Sequence, residues 1–226
     1  MHQFIKNVLI FKKKLKIIFY KYIYSFTALN DLDKKLLDYI DYEGGYFIEI
    51  GANDGINQSN TFFLERKKKW SGVLIESNKK KFLECKKNRS KKNKIFNATC
   101  VSKNYKKKKI KMFYADLMTS TYENKLTYDK YFSHLKSRKS YTFFGKAFTM
   151  EQILKKARSP KVIDLFSLDV EGYELQVLQG VNFKYTVFKY ILVETKNFLK
   201  IKSFLKGKGY KCINKLSYHD YLFKLN

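Results

Sequence analysis

The stretch YFIEIGANDGINQSNTFFLE, residues 46–65, decides the fold. An apolar, strand-prone run from Tyr46 to Ile50 feeds the corner Gly51-Ala52-Asn53-Asp54-Gly55, and a polar, helix-like segment follows. Glycines at a strand end let the chain turn sharply and let a ligand come close to the backbone. The spacing here is G-x-x-x-G. Dinucleotide and triphosphate cradles instead use G-x-G-x-x-G and G-x-x-x-x-G-K-[ST]. Asp54 inside the turn would also repel a pyrophosphate.

Outward from the corner, strand and helix alternate. Residues 28–40 read as a helix with Leu32, Leu36, Leu37 and Ile40 on one face and Asn30 or Asp31 as its cap. Residues 59–68 are the next helix, and 72–76, the run GVLIE, the second strand. Ser77 or Asn78 caps a helix reaching Arg89, and a third strand spans 94–101. Ile110, Met112 and Tyr114 alternate in a strand over 109–115. Residues 116–147, rich in Tyr, Ser, Thr and Lys, have no clean period and read as a loop or lid with some helix. Thr149 and Gln152 form a capping box for a helix ending near Pro160. Strands follow at 162–168 and 187–193, helices at 173–179 and 198–206, and residues 210–213 and 218–225 close the chain as an antiparallel hairpin. The central strands are apolar almost throughout, so both faces are covered and the sheet is mostly parallel. A ligand then belongs at its carboxyl ends.

At 226 residues the chain suits one α/β domain with an extension. The division is residues 1–27, a basic helical extension, and 28–226, the domain. The extension is interrupted by Lys6, Lys12, Lys13, Lys14, Lys16 and Lys21, so it lacks the roughly 20 unbroken apolar residues of a membrane span. It reads as a helix packing on the domain, or as a basic amphipathic helix making peripheral contact with an anionic membrane. The 47 basic and 20 acidic residues give a formal net charge of +27. Nucleic acid is one partner this charge suits. However, only Arg66, Arg89, Arg138 and Arg158 are arginine, the better tool for bidentate recognition. The lysines travel with Asn, Tyr, Phe and Ile, residues of A/T-rich codons, which favours a solvated basic surface. Cys85, Cys100 and Cys212 form no C-x-x-C and read as free thiols of a reducing compartment, the cytoplasm. No metal-ligand spacing is present.

Three of the four central strands end in an acid, Glu76, Asp169 and Glu194, and the other carries Glu49 beside the corner. Glu76 at its strand tip can accept two ribose hydroxyls. A ligand that is cationic, carries a ribose and has no phosphate fits S-adenosylmethionine. Glu49 either contacts it or ties down the loop amides. Asp169 is the first choice for a general base and Glu171 the second, with His134 of the lid a third. Glu174 reads as a solvated helix residue, and Phe62-Phe63 and Phe143-Phe144 as core or lid packing.

FIEIGANDGINQSNTFFLE, WSGVLIESN, IDLFSLDVEGYELQVLQG and ILVET, in this order and spacing, resemble the FkbM-type methyltransferases. The resemblance implies a class I methyltransferase-like Rossmann fold of seven strands with a C-terminal antiparallel hairpin. It implies S-adenosylmethionine as cofactor and a hydroxyl acceptor on a sugar, glycan or other small molecule. Carried over by position, Glu49, Gly51, Asn53 and Gly55, with Asp54 between them, would line the methionine end and Glu76 the ribose. Thr99, Val101 and Ser102 would lie near the adenine, and Asp169 and Glu171 by the methyl group. The function so implied is O-methylation of a carbohydrate. An RNA methyltransferase and a non-catalytic basic binding module on the same fold are the alternatives.

Overall fold

In the computed structural model, which describes residues 26–122 and 140–226, the apolar runs form a seven-stranded sheet. Its strands are β1 (Tyr46–Ile50), β2 (Ser71–Glu76), β3 (Lys94–Asn97), β8 (Val162–Leu168), β9 (Val187–Glu194), β10 (Tyr210–Lys215) and β11 (Asp220–Leu225). The short strands between them are β4 (Thr99–Cys100), β5 (Lys109–Tyr114), β6 (Ser120–Thr121) and β7 (Tyr141–Phe148). The order in the large sheet is β10-β11-β9-β8-β1-β2-β3. Strands β3, β2, β1, β8 and β9 are mutually parallel, and β11 runs antiparallel to both β9 and β10. This is the α/β, mostly parallel, class I methyltransferase-like sheet with its antiparallel hairpin.

Alternation along each strand sends side chains to two cores. Ile48, Ile50, Val73, Ile75, Phe166 and Ile191 pack against Ile153, Val177 and Leu205. These three come from the helices α4 (Met150–Ala157), α5 (Glu174–Gln179) and α6 (Phe198–Lys206). Phe47, Leu74, Leu165 and Leu192 pack against Leu36, Ile40, Leu64 and Cys85. Those belong to α1 (Leu32–Ile40), α2 (Phe62–Lys68) and α3 (Lys79–Asn88). Each fully buried Leu or Ile contributes about 1.5–3 kcal/mol. Helix layers on both faces leave the strand ends as the place for chemistry.

The local signals resolve as follows. Asn78 Oδ1 accepts from the N–H groups of Lys80 and Lys81, and Thr149 with Gln152 makes the full capping box. At α1 the N-cap is Asp31, but its side chain caps nothing. Asp33 does the equivalent work, accepting from the N–H groups of Thr27, Ala28 and Lys34. Phe26 stacks on Phe63 with ring centroids 4.1 Å apart, so the domain's packing begins before residue 28. The rest of the basic extension lies outside the described residues; among the described residues no helix is long and apolar enough to cross a membrane.

Two expectations are corrected. The strand over 94–101 is two strands: Asn97 ends β3 in the large sheet, and after Ala98 the chain joins β7 in a second, four-stranded sheet of order β4-β7-β5-β6. The segment 116–147 is not simply a lid, because its end is the eight-residue strand Tyr141–Phe148, paired along the whole of β5. Phe144 is accordingly exposed rather than packed, while Phe62 and Phe63 are buried.

Candidate active site

Strand register sets six residues in one row across the carboxyl edge. Glu76 pairs with Asn97. Ile50 lies opposite both Ile75 and Leu168, so Gly51 is level with Glu76 and Asp169. Leu168 faces Val193, which sets Asp169 level with Glu194, and Glu194 pairs with Asp220. The row therefore reads Asn97, Glu76, Gly51, Asp169, Glu194, Asp220. Gly51 adopts φ +83°, and a Cβ there would lie 2.2 Å from the Asp169 carbonyl oxygen. No side chain fits between these two strand ends, which is why the corner begins with glycine.

A cavity opens over the row. Gly51, Asn53 and Glu76 form one wall, Asp169, Glu171 and Tyr173 another, and Thr99, Met112 and Thr121 of the small sheet close it. Asn53 Nδ2, Thr99 Oγ1 and Thr121 Oγ1 are buried there without a hydrogen-bond partner. A buried polar atom left unpaired costs about 1–3 kcal/mol, and such atoms are rare in folded proteins. Three around one cavity mark it as shaped for a polar ligand. Backbone strain points to the same place. Asn53 and Glu171 sit at φ 48° and φ 53°, a region that asparagine tolerates and glutamate rarely adopts.

The electrostatics are those of buried acids. Glu76 accepts from Asn53 N at 2.9 Å through Oε2 and from Asn78 N at 2.7 Å through Oε1. Burial outweighs these bonds and pushes its pKa up to about 7. Burial, with the charges of Glu194 and Glu171, also raises Asp169 well above the usual carboxylate range. Glu194 is raised to about 7 by burial and by Asp220 and Glu171, while a hydrogen bond from Asp169 opposes the rise. Burial and mutual repulsion thus push both acids of this pair toward their protonated forms. Glu174, expected in solvent, is buried and accepts from Gly172 N at 2.6 Å, fixing the turn that carries Glu171.

The cavity brings together Gly51, Asn53, Glu76, Thr99, Asp169 and Glu171. The other sequence-derived candidates lie elsewhere. Glu49 projects to the opposite face of β1, where both oxygens are taken by Ser59 Oγ, Asn60 N, Thr61 Oγ1 and Arg89 Nη1. It ties down the loop. Asp54 accepts from Ile56 N and Asn57 N and shapes the turn. Gly55 is packed against Cys85 and Arg89, Val101 is in the core, and Ser102 lines a different depression near Phe183. His134 lies outside the described residues. Lys81, Met112, Thr121 and Tyr173 line the cavity without having been singled out from the sequence. Only Lys81 had a legible signal, in the first turn of the helix that follows Glu76.

The family described as the methyltransferase FkbM domain matches residues 49–212, most of the chain. This chain belongs to the FkbM methyltransferase family. A solved FkbM methyltransferase from Methylobacillus flagellatus KT is similar to it at a TM-score of 0.50 and 12% identity, covering 90% of this chain and 46% of that one. The chain thus spans under half the length of that FkbM relative, and the likeness is one of fold. The METTL16 methyltransferase domain is similar at a TM-score of 0.44 and 11% identity, covering 86% of this chain and 64% of that one. A fibrillarin/Nop5p complex follows at 0.40 and 10%, covering 80% and 72%. No curated protein matches the chain. All three cysteines of this FkbM chain are free thiols.

Proposed function

We propose that the cavity receives S-adenosylmethionine and that the chain methylates a hydroxyl of a sugar or other glycan. One observation carries the donor assignment: three residues with unpartnered buried polar atoms line a cavity together with the acids Glu76, Asp169 and Glu171. The residues fit the group. Asn53, Thr99 and Thr121 offer hydrogen-bonding atoms that lack partners. Glu76 keeps lone pairs free for a diol, and the acids suit a cationic ligand that a phosphate cradle would not. When bound, the donor supplies an electrophilic methyl group on a sulfonium.

The protein's own contribution is to hold an oxygen in line with that methyl and to take its proton. Positioning of this kind supplies up to about 7–11 kcal/mol, and general base assistance about 10²–10⁴-fold. Asp169 and Glu194 act as one base. The pair would take the acceptor's proton while the oxygen gains the methyl group and the S–CH₃ bond breaks, the donor leaving as a neutral thioether. Glu171, held at positive φ two residues from Asp169, orients the acceptor. Turnover is then expected to rise as pH passes through about 7, where Glu194 ionises.

The test is calorimetry with S-adenosylmethionine on the wild type, Glu76→Ala and Asp169→Asn, followed by methyl transfer to candidate glycans. Loss of donor binding in Glu76→Ala, with donor binding kept and turnover lost in Asp169→Asn, supports the reading. Uptake of a phosphorylated nucleotide in place of S-adenosylmethionine refutes it.

A further inference from the structure

The small sheet has a second face. Its inner residues, Met112 and Thr121, close the cavity, whereas its outer face is open. Along β5 the exposed positions are Lys109 and Lys111, and in register on β7 they meet Lys146 and Phe144. Lys109 thus lies directly opposite Lys146. Like charges at paired positions destabilise a sheet, and a bound anion would relieve the cost. Lys106, Lys107 and Lys108 lead into the same strand and are exposed. None of these six lysines makes an ion pair among the described residues, and residues 100–115 and 140–148 contain no Asp or Glu. Among the described residues the face is a cationic strip with no ion-paired acid.

The strip leads to the active site. From Lys109 to Tyr114 it spans about 17 Å at roughly 3.4 Å per residue. At its far end Tyr141 pairs with Tyr114, stacks on it at 4.8 Å, and accepts a hydrogen bond from Asn78 Nδ2. Asn78 in turn donates its backbone N–H to Glu76 in the cavity wall. Tyr114 and Tyr141 share the inner face with Met112, so a chain laid on the outer face reaches the cavity rim by passing over the end of the sheet at this pair.

We propose that this outer face binds an acidic glycan, an oligosaccharide bearing carboxylates, and feeds one of its hydroxyls to the site. The charge follows from the strip, and the saccharide rests on the function proposed above. Single-stranded nucleic acid fits less well, since it uses successive open rings on which bases stack. Here the Tyr122 ring is covered by Lys111 Nζ at 3.8 Å from its centroid, and among the described residues Phe144, at 66% exposure, is the one fully open ring on this face, with Phe113 half-buried beside it. The strip also has no arginine for bidentate phosphate contacts.

The test measures binding of a short oligogalacturonate to the full chain, beside a neutral oligodextran and an oligouridylate of matched charge. The triple variant K109E/K111E/K146E is compared with K200E/K206E/K211E, which reverses the same number of exposed charges away from the strip. The uronate is expected to bind and the dextran not. The strip variant should lose about tenfold or more in uronate affinity, and the wild-type affinity should fall between about 50 and 200 mM salt. Both triple variants should bind S-adenosylmethionine as the wild type does. Equal losses in the two variants, absence of uronate binding, or tighter binding of the oligouridylate each overturn the proposal. Failure of the wild type to bind S-adenosylmethionine while the uronate still binds the strip refutes the proposed function and leaves this surface standing.

Discussion

Glu76→Gln tests the cavity's electrostatics before any ligand is added. Glu76 is buried, and its pKa rises from the ordinary 4.5 to about 7. A carboxyl with a raised folded-state pKa binds its proton more tightly when folded. Its ionisation therefore costs stability as pH climbs from about 4.5 to 7, and the full cost is present above that window. Between pH 5 and 8.5 the cost grows by roughly 2–3 kcal/mol. Glutamine removes the charge and also orphans one of the two N–H groups, Asn53 or Asn78, which the carboxylate accepts. That second loss, about 1–3 kcal/mol, is the same at both pH values and cancels in the comparison. The assay is urea unfolding of both proteins at pH 5 and 8.5, extrapolated to water. The mutant should gain roughly 2–3 kcal/mol on the wild type between the two pH values. A constant difference across that range would refute the reasoning, because Glu76 would then be no more costly to ionise folded than unfolded.

Other perturbations follow from the same geometry. Gly51→Val combines positive φ with a clash on the Asp169 carbonyl, so calorimetry should show loss of donor binding, with about 1–3 kcal/mol lost in chemical denaturation. Arg89→Ala leaves Glu49 and Glu65 buried and unpaired, and denaturation should report a loss of about 3–5 kcal/mol. Thr99→Val removes an unpartnered hydroxyl, so the free protein should be as stable or about 1 kcal/mol more stable, while titration calorimetry shows weaker donor binding.

The large sheet was legible because strands buried on both faces are written as nearly continuous apolar runs, and the runs end visibly at Glu76, Asp169 and Glu194. The small sheet was hidden because β5 pairs with a strand beyond a long Tyr- and Ser-rich segment, and local pattern carries no information about that partner. Glu49 and Glu76 look alike in sequence, each an acid near a strand end. Alternation does not separate them, since Glu49 pairs with Leu74 and Glu76 lies two residues further along the same face; position does, because Glu76 is the last residue of β2 whereas Glu49 lies one residue inside β1, under the loop that binds it. What the sequence could not supply was Arg89, which arrives from the end of α3 to take Glu49, Glu65, Gly55 O, Ser59 and Thr61. Glu174 was misread for a related reason: the turn at Gly172 brings an N–H to it that helix periodicity does not reveal.

Strand β8 carries an acid near each end, and the two meet opposite fates. Asp164, near the amino end, is half-buried, and burial alone would raise its pKa. Lys189, the Tyr42 hydroxyl and Tyr46 N all reach it, and together they hold it below the ordinary value. Asp169, at the carboxyl end, has acids for neighbours and is raised. The same contrast separates Glu49, bound by four donors from the loop and Arg89, from Glu76, which is left costly to ionise. The fold can satisfy its buried carboxylates and does so wherever they serve packing. Along one edge it leaves them mutually repelling, beside unpaired polar atoms and a strained Glu171. A cationic ligand entering there would lower the cost of all these features at once. Folding stability should accordingly rise on donor binding most steeply above pH 7, where the row is most fully ionised.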